Sequence, residues 1–238
     1  MNLWIKNGHL LDPANRCDEI CDIYVKEGKV AGIGSLSSDE KMDGAIVIDA
    51  SGKYVMPGFL DLHVHLREPG FEYKETIKTG TAAAAKGGFT AVCPMPNTKP
   101  PADCPEMIRK IREIAERDSK IHVYPVGAVT KGQMGDEITD IAGMVKAGAK
   151  AISEDGKSVM DAALYREAMK EAAKVEVSDE KTGKTDQNKT GKEVWLISNG
   201  QKKGVGISGT GQTAKDSDTA DTVIKKKAVS YVSVDIRG

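Results

Sequence analysis

Two histidines, an acid and an arginine alternate with apolar residues in one short stretch of the sequence. The stretch covers residues 54–67 and reads YVMPGFLDLHVHLR, with Asp61, His63, His65 and Arg67 at every second position. Because successive side chains of a β-strand point to opposite faces, a strand here places all four polar groups on one face. Two imidazoles at positions i and i+2 can converge on one metal ion. The spacing therefore predicts a metal site at the end of this strand.

A strand with one apolar face and a polar end is typical of a parallel barrel that has helices outside and an active site at its mouth. Such sites collect residues from the carboxyl ends of several strands, so groups far apart in sequence can meet. Asn97 follows the second predicted strand and Asp155 follows the fourth. Two neutral imidazoles and a carboxylate suit Zn²⁺, either as one ion or as two ions that share a hydroxide.

This set of residues indicates hydrolytic chemistry on a small anionic molecule. A bound metal lowers the pKa of water from about 15.7 towards 7. Arg67 offers a planar fork that suits a substrate carboxylate. A metal beside a carboxylate clamp predicts hydrolysis of an amide or a cyclic amide.

The elements that must position these residues alternate between strand and helix, which is the pattern of parallel βα units. After the first strand, we predict strands at 89–94, 121–128 and 149–153, and helices at 72–86, 105–119, 137–147 and 161–174. Four successive βα units predict the N-terminal half of a (β/α)8 barrel of the TIM type. His122 lies near the start of its predicted strand, so we expect it at the end of the barrel opposite the site.

The flanking regions have a different character and suggest three segments. Residues 1–53 contain short strand-like runs at 3–6, 22–25 and 45–48 between turn signals and predict a small β module. Residues 54–174 carry the partial barrel. Residues 175–238 contain no His, Pro, Cys, Met or Phe, and their composition predicts a divergent, weakly structured or disordered tail.

Composition excludes several functions. A net charge of −1 and a pI near 6.5 give no reason to expect binding to nucleic acid or to an anionic membrane. The N-terminus lacks the apolar core of a signal peptide, and no stretch approaches a membrane span. Four cysteines are too few for a disulfide scaffold, and Cys17 and Cys21 have no second pair for a metal knuckle. We expect a cytoplasmic protein with reduced thiols.

The stretch PGFLDLHVHLREPGFEYKETIKTGTAAAAKGGFTAVCPMPNTKP, at 57–100, resembles dihydroorotases of the amidohydrolase superfamily, of the bacterial class I type. The resemblance runs from the N-terminus to about residue 174. It implies a metal-dependent (β/α)8 barrel with a small β-sandwich formed by the chain termini. It also implies the reversible cyclisation of N-carbamoyl-L-aspartate to (S)-dihydroorotate in de novo pyrimidine biosynthesis, with one or two Zn²⁺ ions in each site. Its expected partners are a second copy of the chain or aspartate transcarbamoylase.

The resemblance also assigns roles to individual residues. His63 and His65 match the metal ligands of the first strand, and Asp155 matches the carboxylate that bridges the metals. His65, Arg67 and Asn97 match the residues that bind the substrate, with Arg67 and Asn97 on its carboxylate.

Two further acids enter through the same resemblance. Asp61 matches an acid that orients the site from behind the ligands. Glu154 is the alternative ligand if the alignment at Asp155 is displaced by one residue.

Allantoinases and hydantoinases share the Asp-x-His-x-His pattern, so they form an alternative. These enzymes can use a carboxylated lysine as the bridge, and Lys150 is the residue that could take this role. Arg67 and the CPMPNT stretch at 93–98 favour dihydroorotase over both.

The chain departs from the family pattern in its second half. The family has two more histidine ligands and a general-base aspartate on later strands, but no histidine follows His122. We therefore assign no catalytic residue and expect the chain to be inactive as written, truncated or altered by a frameshift near codon 174. A half barrel would also leave the edges of its first and fourth strands unpaired. The alternative is a non-catalytic, dihydroorotase-like partner of aspartate transcarbamoylase.

Overall fold

The structure is a computed structural model that describes residues 2–34 and 44–175, together with the backbone of two short strands at 195–196 and 232–233. The chain forms two compact units. The rest of 175–238, including the predicted disorder of this tail, lies outside the described residues. Among the helices of the described part, none has the length and apolar character of a membrane span.

The first unit is built on one sheet. Its strands are β1 (Leu3–Asp12), β2 (Cys17–Lys26), β3 (Lys29–Ile33), β4 (Ile46–Asp49), β5 (Tyr54–Pro57) and β12 (Val232–Ser233). β1 pairs with β2 in antiparallel fashion and with β4 and β5 in parallel, while β12 pairs antiparallel with β5. All three predicted strand-like runs are confirmed, although β1 and β2 are longer than predicted. The carboxylate of Asp12 accepts hydrogen bonds from the backbone of Ala14 and Asn15, and this turn lets both strands extend up to it.

The second unit repeats a strand followed by a helix. Its strands are β6 (Phe59–Val64), β7 (Phe89–Pro94), β8 (His122–Val123), β9 (Val126–Gly127), β10 (Ala151–Ile152) and β11 (Trp195–Leu196). Its helices are α1 (Ile77–Lys86), α2 (Pro105–Asp118), α3 (Ile141–Lys146) and α4 (Ala162–Lys174). β7 and β8 are parallel, as are β9, β10 and β11. The predicted mixed α/β class is confirmed.

Apolar residues at helical spacing create the main core of this unit. Ile108, Ile111 and Ala115 repeat on one face of α2 and are buried, whereas the charged residues of α2 lie on its other face. The core also takes side chains from the other three helices and from the strands. Val92 of β7 belongs to this cluster, while its neighbour Cys93 belongs to a second buried cluster. Both faces of β7 are therefore covered, as expected of a parallel strand with helices on one side.

Two helices begin later than the sequence pattern predicted. We expected α1 from residue 72, but Thr76 accepts a hydrogen bond from the Thr79 amide and caps a helix that starts at Ile77. We expected α3 from residue 137, but Asp140 caps it, and Ile138, two residues before the cap, forms a β-bridge with Thr130. In both cases the helical pattern begins before the capping residue, so the pattern alone predicted a helix that starts too early.

Two predicted strands are each divided in the structure. The stretch 54–67 forms β5 in one sheet and β6 in another, and it leaves regular strand geometry after Val64. The predicted strand 121–128 forms β8 and β9, which pair with different neighbours. Pro125 lies between β8 and β9 and has no amide hydrogen to contribute to a ladder, so the division there has a simple cause.

The expectation of an unpaired edge at the fourth strand is wrong. β11 pairs in parallel with β10, with Ala151 opposite Trp195 and Ile152 opposite Leu196. The strand-helix alternation thus continues one strand past α4, within the region expected to lack it. Trp195 and Leu196 lie in the β-favouring stretch EVWLIS at 193–198.

Candidate metal centre

The carboxyl ends of β6 and β10 bring three of the predicted site residues together. His63 is the penultimate residue of β6, His65 follows its last residue, and Asp155 lies three residues after β10. The Nε2 atom of His63 lies 3.1 Å from Oδ1 of Asp155, and the Nδ1 atom of His65 lies 3.8 Å from Oδ2 of the same carboxylate. The two imidazole rings are perpendicular, with centroids 5.2 Å apart. Both imidazoles therefore contact one carboxylate.

The exposure of these groups gives the site an open and a closed side. The side chain of Asp155 is only 6% exposed, while those of His63 and His65 are 41% and 34% exposed. Among the described residues, the Asp155 carboxylate contacts no polar group except the two histidines. A small molecule can therefore approach over the imidazoles, whereas the carboxylate forms the floor.

The donor set and its spacing fit a metal ion. One candidate ligand atom from each of His63, His65 and Asp155 lies within 4.8 Å of the other two. Tetrahedral Zn²⁺ requires ligand atoms roughly 3.4 Å apart, because its bonds to nitrogen and oxygen are about 2.1 Å long. The three atoms are thus close to the required spacing without a rearrangement of the backbone. Two imidazoles and a carboxylate are also ligand types that Zn²⁺ takes in hydrolytic sites.

Asn97 lies beside the second histidine, as expected for a residue at the end of the neighbouring strand. Its Oδ1 atom is 3.1 Å from Nδ1 of His65. Because an amide oxygen accepts, the Nδ1 atom of His65 donates to Asn97. This hydrogen bond fixes the tautomer of His65 and leaves Nε2 as the nitrogen that can bind a metal. Asn97 therefore contacts a candidate ligand in addition to its predicted role towards a substrate.

Arg67 does not continue the alternation on which its prediction rested. Its φ angle of 61° lies in the left-handed region, and it comes three residues after the end of β6. The expectation that Arg67 shares one strand face with His63 and His65 is therefore wrong. Its half-buried guanidinium donates no hydrogen bond to any described residue. Within the part of the chain that the structure describes, all of its donors thus remain available for a ligand.

Asp61 supports the end of β6 through the backbone. Its Oδ1 atom accepts a hydrogen bond of 3.0 Å from the amide of His63. The charge of the same carboxylate also affects the pKa of Cys93 in the adjacent strand β7. Burial, and in smaller part the charge of Asp61, raise the pKa of the Cys93 thiol to about 12. This thiol is consequently protonated at neutral pH.

The two alternative bridging residues lie elsewhere. The Glu154 carboxylate accepts hydrogen bonds from the amides of Val129 and Thr130 and does not belong to the cluster of candidate ligands. Lys150 precedes β10, whereas Asp155 follows it, so the two residues are at opposite ends of that strand.

A close backbone contact joins the loops that carry Arg67 and Asn97, and the sequence pattern did not predict it. The amide of Lys99 donates to the carbonyl of Pro69 over 3.0 Å. A Cβ atom on Gly70 would lie 2.1 Å from the carbonyl oxygen of Lys99, so only glycine fits. The Pro-Gly pair at 69–70 is a turn signal, but a turn signal does not reveal what the turn packs against.

Comparison with known proteins decides the family. A family model described as dihydro-orotase-like matches residues 52–230, which is most of the chain. The chain belongs to the dihydroorotase-like family. The match continues past residue 174, where we expected the resemblance to end.

Curated relatives of this family agree with the match. The dihydroorotase of Solibacter usitatus is 47% identical over 169 residues, which cover 71% of this chain and 39% of that protein. The dihydroorotase of Pelotomaculum thermopropionicum is 48% identical over 172 residues, covering 72% of this chain and 39% of that protein. The chain therefore spans about two fifths of the length of these relatives.

Solved structures of hydantoinases share the fold of this chain. The L-hydantoinase (dihydropyrimidinase) of Arthrobacter aurescens is 29% identical with a TM-score of 0.55, covering 63% of this chain and 32% of that one. A D-hydantoinase structure is 24% identical with a TM-score of 0.56, covering 72% and 38% of the two chains, and it supports the fold alone.

Proposed function

We propose that the described site is the first half of a dihydroorotase-type metal centre, in which His63, His65 and Asp155 hold Zn²⁺. The observation that carries this proposal is the convergence of both imidazoles on a buried carboxylate that has no other polar partner among the described residues. In such a site the metal supplies Lewis-acid chemistry and lowers the pKa of water. The remaining steps depend on the side chains of the chain itself.

The chain's own residues bind and orient the substrate in this proposal. Arg67 pairs with the substrate carboxylate, because a guanidinium that donates to none of the described residues offers two parallel donors to it. The amide of Asn97 holds the same carboxylate and also keeps His65 in one tautomer. Together these residues would present either the ring amide of (S)-dihydroorotate, or the ureido group and side-chain carboxylate of N-carbamoyl-L-aspartate, to the metal side of the site.

Metal titration of the purified chain tests the proposal. We expect wild-type protein to bind Zn²⁺ or Co²⁺, and His63→Ala, His65→Ala and Asp155→Ala each to weaken binding by at least about tenfold, because each removes a direct ligand. His122→Ala is the matched control, since this exposed histidine stacks on Tyr124 at the start of β8. Equal affinities of the wild type and the His63→Ala variant would contradict the proposed site.

We further propose that these 238 residues do not complete an active site by themselves. The family uses further histidine ligands from later strands, and the sequence contains none after His122. We expect no turnover of N-carbamoyl-L-aspartate with Zn²⁺ supplied. Turnover that disappears in the His63→Ala variant would show that the chain is active and that this part of the proposal is wrong.

The proposed division at about residue 174 has a separate test. A frameshift there would replace the second half of the barrel with out-of-frame sequence, and reading the nucleotide sequence in the other two frames decides it. Histidine-containing barrel motifs in another frame would support the frameshift. The family match up to residue 230 and the pairing of β11 with β10 weigh against it.

A hydantoinase-type activity is the second candidate, favoured by the structural similarity to hydantoinases. The two candidates differ in their substrates, because dihydroorotate carries a carboxylate that Arg67 would bind and hydantoin carries none. Binding of dihydroorotate but not of hydantoin, with loss of binding in Arg67→Met, would support the dihydroorotase type. Equal binding of the two compounds would favour the hydantoinase type.

The expected setting of the protein follows from the same family. We propose a cytoplasmic protein of pyrimidine biosynthesis that pairs with a second copy or with aspartate transcarbamoylase, in the latter case as a non-catalytic partner. Sedimentation of the chain alone and in a mixture with aspartate transcarbamoylase distinguishes these assemblies. If the chain sediments as a monomer in both samples, neither the pairing with a second copy nor the pairing with aspartate transcarbamoylase occurs.

A further inference from the structure

Next to the candidate ligand Asp155 lies a second buried carboxylate that contacts neither histidine. Glu154 is 6% exposed, and its Oε2 atom accepts hydrogen bonds from the amides of Val129 (2.9 Å) and Thr130 (3.2 Å). Its other carboxylate oxygen accepts the hydroxyl of Thr130. A carboxylate that accepts three hydrogen bonds in a buried position forms charge-assisted contacts, which are stronger than neutral ones. Glu154 therefore fastens the end of β10 to the segment that follows β9.

The peptide group between Glu154 and Asp155 is held at both of its polar atoms. The carbonyl oxygen of Glu154 accepts hydrogen bonds from Nε2 of Gln133 and from the amide of Lys157, each over 3.2 Å. The amide of Asp155 donates to Oγ of Ser153 over 3.1 Å. Asp155 has a φ angle of 42°, which L-residues rarely adopt. Such a conformation persists only where the surroundings impose it, and here the surroundings are these contacts.

The segment 129–135, which receives Glu154, is itself fixed. The Thr130 hydroxyl accepts the amide of Gly135 over 2.9 Å while it donates to Glu154, so both of its hydrogen-bonding roles are used. The amide of Gly132 donates to Oδ2 of Asp103 over 2.7 Å. Gln133 is 5% exposed, so its amide reaches Glu154 from a buried position. The segment is thus a rigid support for the end of β10.

We infer that Glu154 is a positioning residue, whose carboxylate fastens segment 129–135 to the end of β10 and thereby holds the Asp155 carboxylate towards His63 and His65. Without this contact, the end of β10 is held less firmly to segment 129–135, and a change of φ at Asp155 would turn its side chain away from the imidazoles. The inference extends the proposed metal centre, and its predicted effect on metal affinity rests on that proposal. The contact between Glu154 and the segment can be tested without metal.

The test compares Co²⁺ affinity, read from the visible absorption of the bound ion, in wild-type protein and in Glu154→Gln. A glutamine has the same shape but no charge, so its carbonyl oxygen makes only neutral hydrogen bonds to the two amides, and its NH₂ group cannot accept the Thr130 hydroxyl. We expect affinity to fall about 10- to 100-fold, the usual effect of removing a residue that orients a ligand. Asp12→Asn is the matched control, because it changes a buried turn carboxylate of the other unit. It should leave affinity unchanged.

A double-mutant cycle separates positioning from general destabilisation. If Glu154 acts through Asp155, then Glu154→Gln has no further effect on Co²⁺ affinity once Asp155→Asn has removed the ligand. Additive effects of the two substitutions would overturn the inference. Gln133→Met serves as a second variant if Glu154→Gln fails to fold. It removes one hydrogen bond to the same peptide group, and we expect it to lower affinity in the same direction by a smaller factor.

Amide hydrogen exchange in metal-free protein completes the design. We expect exchange at Val129, Thr130 and Asp155 to be at least about tenfold faster in Glu154→Gln, because the first two amides exchange a charged acceptor for a weaker neutral one and the third is held less firmly. Unchanged exchange at these amides overturns the inference. If wild-type protein binds no metal, the proposed metal centre is wrong and exchange alone decides the role of Glu154. If wild type and Glu154→Gln bind Co²⁺ equally, the inference is wrong and the metal centre stands.

Discussion

Replacing Gly70 with alanine should separate two loops that carry candidate substrate-binding residues. Gly70 has a φ angle of 99°, and a Cβ atom there would lie 2.1 Å from the carbonyl oxygen of Lys99 and 2.6 Å from its Cβ atom. Real Cβ atoms essentially never approach another heavy atom within 3.0 Å, so the backbone at Lys99 must move by nearly an ångström. That movement acts on the loop that also carries Asn97.

The magnitude of the effect has two parts. The left-handed φ angle costs an alanine about 1–2 kcal/mol. Overpacking against a backbone that must shift costs about a further 1–3 kcal/mol. We therefore expect Gly70→Ala to lower the free energy of unfolding by about 2–5 kcal/mol. That is a large fraction of the stability of a typical domain, which is about 5–15 kcal/mol.

Gly135→Ala is the matched control because it isolates the contact from the backbone conformation. Gly135 has a φ angle of 85°, but nothing that the structure describes lies within 4 Å of a Cβ atom built there. We expect this variant to lose only the conformational part, about 1–2 kcal/mol. Urea unfolding followed by circular dichroism measures both variants, and a lower midpoint at unchanged slope reports lost stability. Equal midpoints for the two variants would refute the argument that Lys99 excludes a side chain.

Two further predictions follow from burial and can be measured on the same protein. The Cys93 thiol, whose pKa is raised to about 12 by burial and by the charge of Asp61, should resist alkylation at pH 8 in the folded state and react after unfolding. Because its folded pKa lies above the ordinary value of 9.0, its stabilising contribution is complete below pH 9 and is lost as pH rises towards 12. The Cys93→Ala variant should therefore lose less stability than wild type over that interval, and an equal loss would contradict the assignment. Met144 is fully buried and Met134 is 70% exposed, so Met144→Ala should cost about 2–5 kcal/mol of unfolding free energy and Met134→Ala less than about 0.5 kcal/mol. Similar losses for both methionine variants would argue against the described core.

The elements with strong periodic patterns were predictable, and their boundaries were less so. The predicted helix 105–119 and strand 89–94 agree with α2 and β7 within one residue. Boundaries failed where a local hydrogen bond overrode the pattern, as where Thr76 caps α1. The division of 121–128 at Pro125 was readable from the sequence, because proline removes a ladder donor. The pairing of β11 with β10 was not, because two residues of β-favouring composition do not specify a partner.

The sequence by itself determined which chemistry was available. The Asp-x-His-x-His alternation placed two imidazoles on one side of a strand, since strand geometry has a period of two. A carboxylate at a later strand end completed the predicted set of metal ligands, and the Asn97 amide added a predicted contact to the substrate. This information is local, because it depends only on residue type and on spacing along one element.

Only the tertiary structure decided which of these groups meet. The sequence left Glu154 and Asp155 as adjacent alternatives, and the left-handed conformation at Asp155 directs one carboxylate to the histidines while Glu154 binds the segment after β9. The structure likewise showed that Arg67 leaves the strand face of His63 and His65. Side-chain direction at a strand end depends on backbone angles that the neighbouring loops impose, and sequence periodicity ends where the strand does.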